Sequence, residues 1–95
     1  MRSTINVQFP LGQICATPGA IEALASANQD GLAFVARHAR GDWGDLDAED
    51  KESNEVALTC GARILSAYHT SKGDKLWIIT EADRSVTTIL LPNEY

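Results

Sequence analysis

The hydrophobic period of this chain changes once, at Gly61, and that change constrains the fold more than any other feature of the sequence. Before Gly61 the apolar residues recur at helical spacing. After it they alternate, in runs rich in β-branched and aromatic side chains. Helices first and strands last is the order of an α+β domain, in which helices cover one face of a sheet. The 95 residues suffice for one such domain and not for two.

Local signals place the elements. Segment 11–16 is short and apolar-rich, and reads as an edge strand or an extended lead-in. Thr17 followed by Pro18 is an N-cap with proline at the first helical position, so the spacing of Ile21, Leu24 and Ala25 predicts a helix over 18–27. Asp30 caps a second helix whose stripe is Leu32, Val35, Ala36 and Ala39, and Gly41 ends it. Gly41 and Gly44 bracket Trp43 in a shaped turn that tucks the indole against the domain. Asp47 with Asp50 three residues later resembles a capping box, and Glu49 and Asp50 suit the positive end of a third helix over 48–60. The buried stripe of that helix is thin, comprising Val56, Ala57 and Cys60. Strands over 63–70, 75–81 and 84–91 then follow, joined by a four-residue loop at 71–74 and a two-residue link at 82–83. The expected architecture is α+β, with N-terminal helices packed on one face of a C-terminal three- to four-stranded antiparallel meander.

Those two turns fix a register. Glu81 faces Arg84, Trp77 faces Thr88, and Tyr68 faces Trp77. One face then carries Tyr68, Trp77, Ser66, Ile79, Thr88, Glu81 and Arg84. The other carries Leu65, Ala67, Leu76, Ile78 and Ile89, compact aliphatics suited to packing under helices. An aromatic pair left on the open face marks a candidate contact site.

Charge is placed as unevenly as hydrophobicity. Of the formal net charge of -5, the segment 42–55 carries -6, from Asp42, Asp45, Asp47, Glu49, Asp50, Glu52 and Glu55 against Lys51. A chain with this balance gains nothing from neutralising phosphates, which disfavours direct nucleic-acid binding. The segment reads either as a solvated helix face or as a surface that imitates a phosphate backbone and occupies a basic groove on a protein partner. With Trp43, Tyr68 and Trp77, the acids Asp42, Asp45, Asp47, Glu49, Asp50 and Glu52 form the candidate partner surface.

Other chemistries find less support. Cys15 and Cys60 lack the spacing of a zinc or redox motif and read as reduced core residues. His38 and His69 have no carboxylate or cysteine at ligand spacing, so neither a metal nor another cofactor is expected. No apolar run reaches the roughly 18 residues of a membrane span, and the opening residues 1–12 hold no apolar leader, so a cytoplasmic setting without membrane contact is expected. A catalytic alternative makes Glu81 a general base and Arg84 a phosphate clamp for RNA transesterification. It lacks a general acid: His69 lies on the other face, and His38 serves only if its helix end reaches the same rim.

Two resemblances extend this reading. The stretch from Arg37-His38 through Gly41-Asp42-Trp43-Gly44-Asp45 to Glu49-Asp50-Lys51, with Arg63 to Tyr68 and Trp77 to Ser85, resembles a family of small uncharacterised bacterial proteins often labelled plasmid-related. That resemblance implies a mobile-element setting, in which small acidic proteins include anti-restriction and anti-CRISPR inhibitors acting as DNA mimics. The C-terminal third, with Leu76 to Thr80 and Ser85 to Ile89, resembles the layout of barnase-like and RelE-like ribonucleases. The leading expectation is a non-enzymatic acidic inhibitor module that binds a protein, possible partners including a nucleic-acid enzyme. A small ribonuclease and a structural homodimer subunit are the alternatives.

Overall fold

Helix boundaries follow the capping residues. A computed structural model describes residues 7–95, beginning with an edge strand β1 (Gln13–Ala16). The expectation about a leader in residues 1–12 falls partly on 1–6, outside the described residues. The Thr17 hydroxyl accepts from the Ala20 N–H at 3.2 Å and starts α1 (Pro18–Ala27), which Asn28 closes in the left-handed conformation. Asp30 caps α2 (Gly31–Ala39) by accepting from the Leu32 N–H at 3.0 Å. Asp47 caps α3 (Ala48–Cys60) through the Asp50 N–H at 2.8 Å, and Gly61 ends it at φ 76°. Then come β2 (Ile64–His69), β3 (Lys75–Thr80) and β4 (Val86–Leu90), followed by a 3-10 turn at Pro92–Glu94. No helix among the described residues is long and apolar enough to cross a membrane.

The fold is α+β, as the change of period predicts, but the sheet is mixed. Its order is β1-β4-β3-β2, and β1 runs parallel to β4 while the other pairs are antiparallel. Segment 11–16 is thus an edge strand that extends the meander with the opposite sense. Gly12 makes this docking possible. It sits at φ 64°, and a β-carbon there would overlap the Ser85 carbonyl.

Both expected turns differ, with unequal consequences. The β3–β4 link spans four residues rather than two, since the Glu81 N–H donates to the Val86 carbonyl at 3.0 Å and Arg84 takes a left-handed φ of 61°. That slip of two keeps every side chain on its expected face. The β2–β3 loop spans three residues rather than four, because Thr70 pairs with Asp74 at 2.9 Å and Gly73 supplies the left-handed residue at φ 90°. That slip of one turns all of β2 over. Tyr68 now pairs with Leu76, and Ser66 with Ile78.

The helix-facing side of the sheet therefore carries Ile64, Ser66 and Tyr68 where Leu65 and Ala67 are expected. Tyr68, Leu76, Ile78 and Ile89 form the main core with Ala20, Ala23 and Leu24 of α1 and Phe34 and Val35 of α2. A second cluster joins Phe9, Trp43, Ala57 and Ile64. Helix α3 meets it through Ala57, and its other buried residue is Asn54, not Val56 or Cys60. Val56 is 55% exposed. The helix is rotated so that the Asn54 amide reaches β2, accepting from the Leu65 N–H at 3.1 Å and donating to its carbonyl at 2.6 Å. Cys15 and Cys60 are free, as expected, but exposed rather than in the core.

Candidate functional site

The acidic segment divides into residues that hold the fold and residues that do not. Asp42 belongs to the first group. Its carboxylate pairs with Arg37 at 2.7 Å and accepts from the Gly44 N–H at 3.2 Å, and the neighbouring guanidinium holds it below the ordinary carboxylate range. Its carbonyl accepts from the Tyr68 hydroxyl at 2.5 Å. Trp43 is tucked in as the bracketing glycines predict, 4% exposed, with its indole N–H donating to Glu55 at 2.8 Å. That burial removes Trp43 from any contact surface. Asp47 is committed to capping α3, and Asp45 meets the exposed His69 at 2.8 Å.

Glu49, Asp50 and Glu52 are different. All three are exposed, and none takes part in an ion pair among the described residues. Their placement is local: Glu49 and Glu52 lie on the side of α3 away from its buried residues Asn54 and Ala57, whereas Asp50, one turn before Asn54, borders a separate depression with Leu46, Arg63 and Leu65. Glu49 and Glu52 border a shallow groove of about 450 Å³ that continues along Ser53, Val56, Cys60 and Ala62. Its floor is apolar towards Val56 and acidic towards the start of the helix.

The aromatic pair expected on the open sheet face does not exist. Tyr68 is 1% exposed, packs on Phe34 and lies under the Arg37 guanidinium, and burial pushes its hydroxyl up to about 12. The one-residue slip at 71–73 is the cause. Trp77 does stay on the open face, half-buried, with the Tyr95 ring edge-on at 5.9 Å. The C-terminal residue thus covers part of the indole.

Glu81 and Arg84 are not cross-strand partners, since the wider turn places Glu81 opposite Val86. The Arg84 guanidinium donates to three carbonyls, those of Ala62 (2.7 Å), Ala57 (3.1 Å) and Glu81 (3.2 Å), and lies over the Phe9 ring. It ties the end of α3 to the β3–β4 turn, and its left-handed backbone is the cost of that position. Glu81 is exposed and has no side-chain partner among the described residues.

His38 does not reach a rim. It is fully buried between the Ser66 hydroxyl, 2.5 Å from Nδ1, and the Thr80 hydroxyl, 2.9 Å from Nε2, with the Phe9 and Trp43 rings edge-on to it. The proton positions follow from one end of the chain. Thr87 donates to the Leu11 carbonyl at 2.7 Å, so its oxygen accepts from Thr80 at 2.7 Å. Thr80 must then accept from Nε2–H, and Nδ1 accepts from Ser66. A serine on an imidazole is the start of a nucleophile pair, but here it is sealed from solvent and oriented by a hydroxyl rather than a carboxylate. Its work is to join α2 to three strands. Burial pushes the imidazole down to about 4, so it is neutral.

Sequence reasoning missed this network, although a signal existed. His38 falls three and four residues after Val35 and Phe34 on the buried stripe of α2, and Ser66, Thr80 and Thr87 interrupt otherwise apolar strand positions. Among the described residues no three His, Cys, Asp or Glu side chains gather as a metal site. Comparison of the chain with protein-family models, with curated proteins and with solved structures returns no match.

Proposed function

We propose that the chain is a non-enzymatic acidic binding module whose α3 face occupies a basic, nucleic-acid-binding groove on a protein partner, as an inhibitor carried by a mobile genetic element would. The observation that carries this reading is the set of exposed carboxylates at Glu49, Asp50 and Glu52 in the first two turns of α3, which take part in no ion pair among the described residues and follow directly on Asp45 and Asp47. From Asp47 to Glu55 the backbone advances about 12 Å at 1.5 Å per residue. Five carboxylates against Lys51 over that length give about one net charge per 3 Å, against about one per 1.7 Å along duplex DNA. The ribonuclease alternative needs Arg84 free to meet a phosphate, and its guanidinium is engaged by three carbonyls.

The test uses the full chain as bait in a bacterial lysate. Binding of a nucleic-acid enzyme that weakens with added salt, and from which duplex DNA displaces the chain, is the expected result. The variant Glu49→Lys/Glu52→Lys spares the Asp47 cap and should keep the helical circular dichroism while losing at least about 100-fold in affinity. A partner held equally well by that variant, at any salt, would exclude phosphate mimicry.

A further inference from the structure

Among the described residues one edge of the sheet is open. In a parallel ladder, alternate residues of a strand bond to the neighbour and the others point away. The Gln13 N–H donates to the Ser85 carbonyl and the Thr17 N–H to the Ile89 carbonyl, both at 3.0 Å, so the backbone groups of Ile14 and Ala16 point outward from β1. All four residues of β1 are exposed, and Ile14 is 42% exposed. Edges are ordinarily blunted by charge, proline or a covering segment. Among the described residues none of these protects β1. From Gly12 to Thr17 there is no charged residue, and none of the described segments bonds to this side.

We infer that β1 is the seam of a homodimer in which two copies pair antiparallel about a two-fold axis through Cys15. The pattern is self-complementary. Ile14 of one copy meets Ala16 of the other, each exchanging N–H and carbonyl bonds, and the axis repeats the exchange, giving four hydrogen bonds and one continuous eight-stranded sheet. Charge selects this seam over the groove beside Val56. Two α3 faces brought together would juxtapose their acidic rows. At β1 the acidic segments stay apart, because each lies beyond β2, three strand spacings or about 14 Å from the seam.

The register has a chemical signature. Cys15 shares the face of Thr88, and its thiol is free and exposed. In the paired strands the two Cys15 residues form the non-hydrogen-bonded pair at the axis, with α-carbons about 4.5 Å apart. That separation falls within the disulfide range of about 4.4 to 6.8 Å.

The experiment uses the full chain with Cys60→Ser, so that only Cys15 carries a thiol among the two cysteines. Sedimentation under reducing conditions should show a reversible dimer. Diamide, which takes two electrons and two protons from the paired thiols, should then convert it to a disulfide-linked dimer on a non-reducing gel. Adding Ile14→Lys places a charge at the seam and should weaken association at least about 10-fold and suppress the cross-link, with the unfolding midpoint retained. A chain that stays monomeric at about 100 µM would overturn the proposal. So would a dimer that resists cross-linking at Cys15, or one that survives Ile14→Lys unchanged.

Discussion

The two edges of the sheet are finished in opposite ways. Along β2 the outward backbone groups of Leu65 and Ala67 are taken: Asn54 answers both groups of Leu65, while the Trp43 carbonyl and Asp45 N–H bond to Ala67 at 3.2 and 2.7 Å. Gly44 lets that segment lie so close, since a β-carbon there would meet the Ala67 carbonyl and the Tyr68 ring. Along β1 nothing comparable occurs among the described residues. The contrast teaches that edge protection here is made by tertiary contacts, and that the same segment which seals β2 also presents the acidic row. One edge is covered by the element that bears the proposed binding face, and the other is unpaired among the described residues.

The comparison is broken most severely at the buried histidine that anchors the sealed half. His38→Ala leaves the Ser66 and Thr80 hydroxyls without their partner and opens a cavity, and should cost about 4 kcal/mol in urea unfolding. The wild type carries a linked pH signature. Its imidazole is neutral in the fold, with its pKa depressed from 6.5 to about 4. Stability from this group is therefore complete above pH 6.5 and falls as pH drops towards 4, where the unfolded chain takes up a proton the fold refuses. The integrated loss is about 3 kcal/mol. His38→Ala should flatten that slope. An unchanged acid limb would show that the imidazole is not held neutral.

Asn54→Ala tests the seal itself. Two backbone groups of Leu65 lose their partners, at a cost of about 2 kcal/mol, and the edge of β2 opens at that residue. We expect concentration-dependent aggregation alongside the lower urea midpoint. A change below about 0.5 kcal/mol would mean that water replaces the amide freely and that β2 is not sealed in the sense argued here.

The smallest effect belongs to the open edge. Ile14→Lys removes an exposed side chain and no bond within the chain, so the urea midpoint measured on dilute, monomeric protein should move by less than about 0.5 kcal/mol. A larger loss would place Ile14 in the core of the monomer and erase the difference between the edges.

Particular residues show what was legible. Thr17-Pro18, Asp30, Asp47 and Gly61 mark helix ends that the structure keeps, and the three C-terminal strands lie within the expected bounds. Trp43 is tucked in as Gly41 and Gly44 require. Of the candidate surface, Glu49, Asp50 and Glu52 are exposed as a helix of that composition demands. Tyr68 was misplaced, because a hairpin loop of three residues and one of four differ by a single hydrogen bond at Thr70, yet they send β2 to opposite faces. Asn54 and Arg84 were not legible at all. Each is a polar side chain defined by backbone groups it meets across the fold, Leu65 for one and Ala57 and Ala62 for the other.

The sequence by itself determined the α+β class, the helix limits and the acidity of the first turns of α3, because capping, glycine conformation and hydrophobic period act within a few residues of the chain. Tertiary structure alone decided the register of β2, the parallel docking of β1 on β4 and the burial of His38 among hydroxyls. Each of these depends on which distant backbone and side-chain groups compete for one hydrogen bond, and local propensity carries no record of that competition.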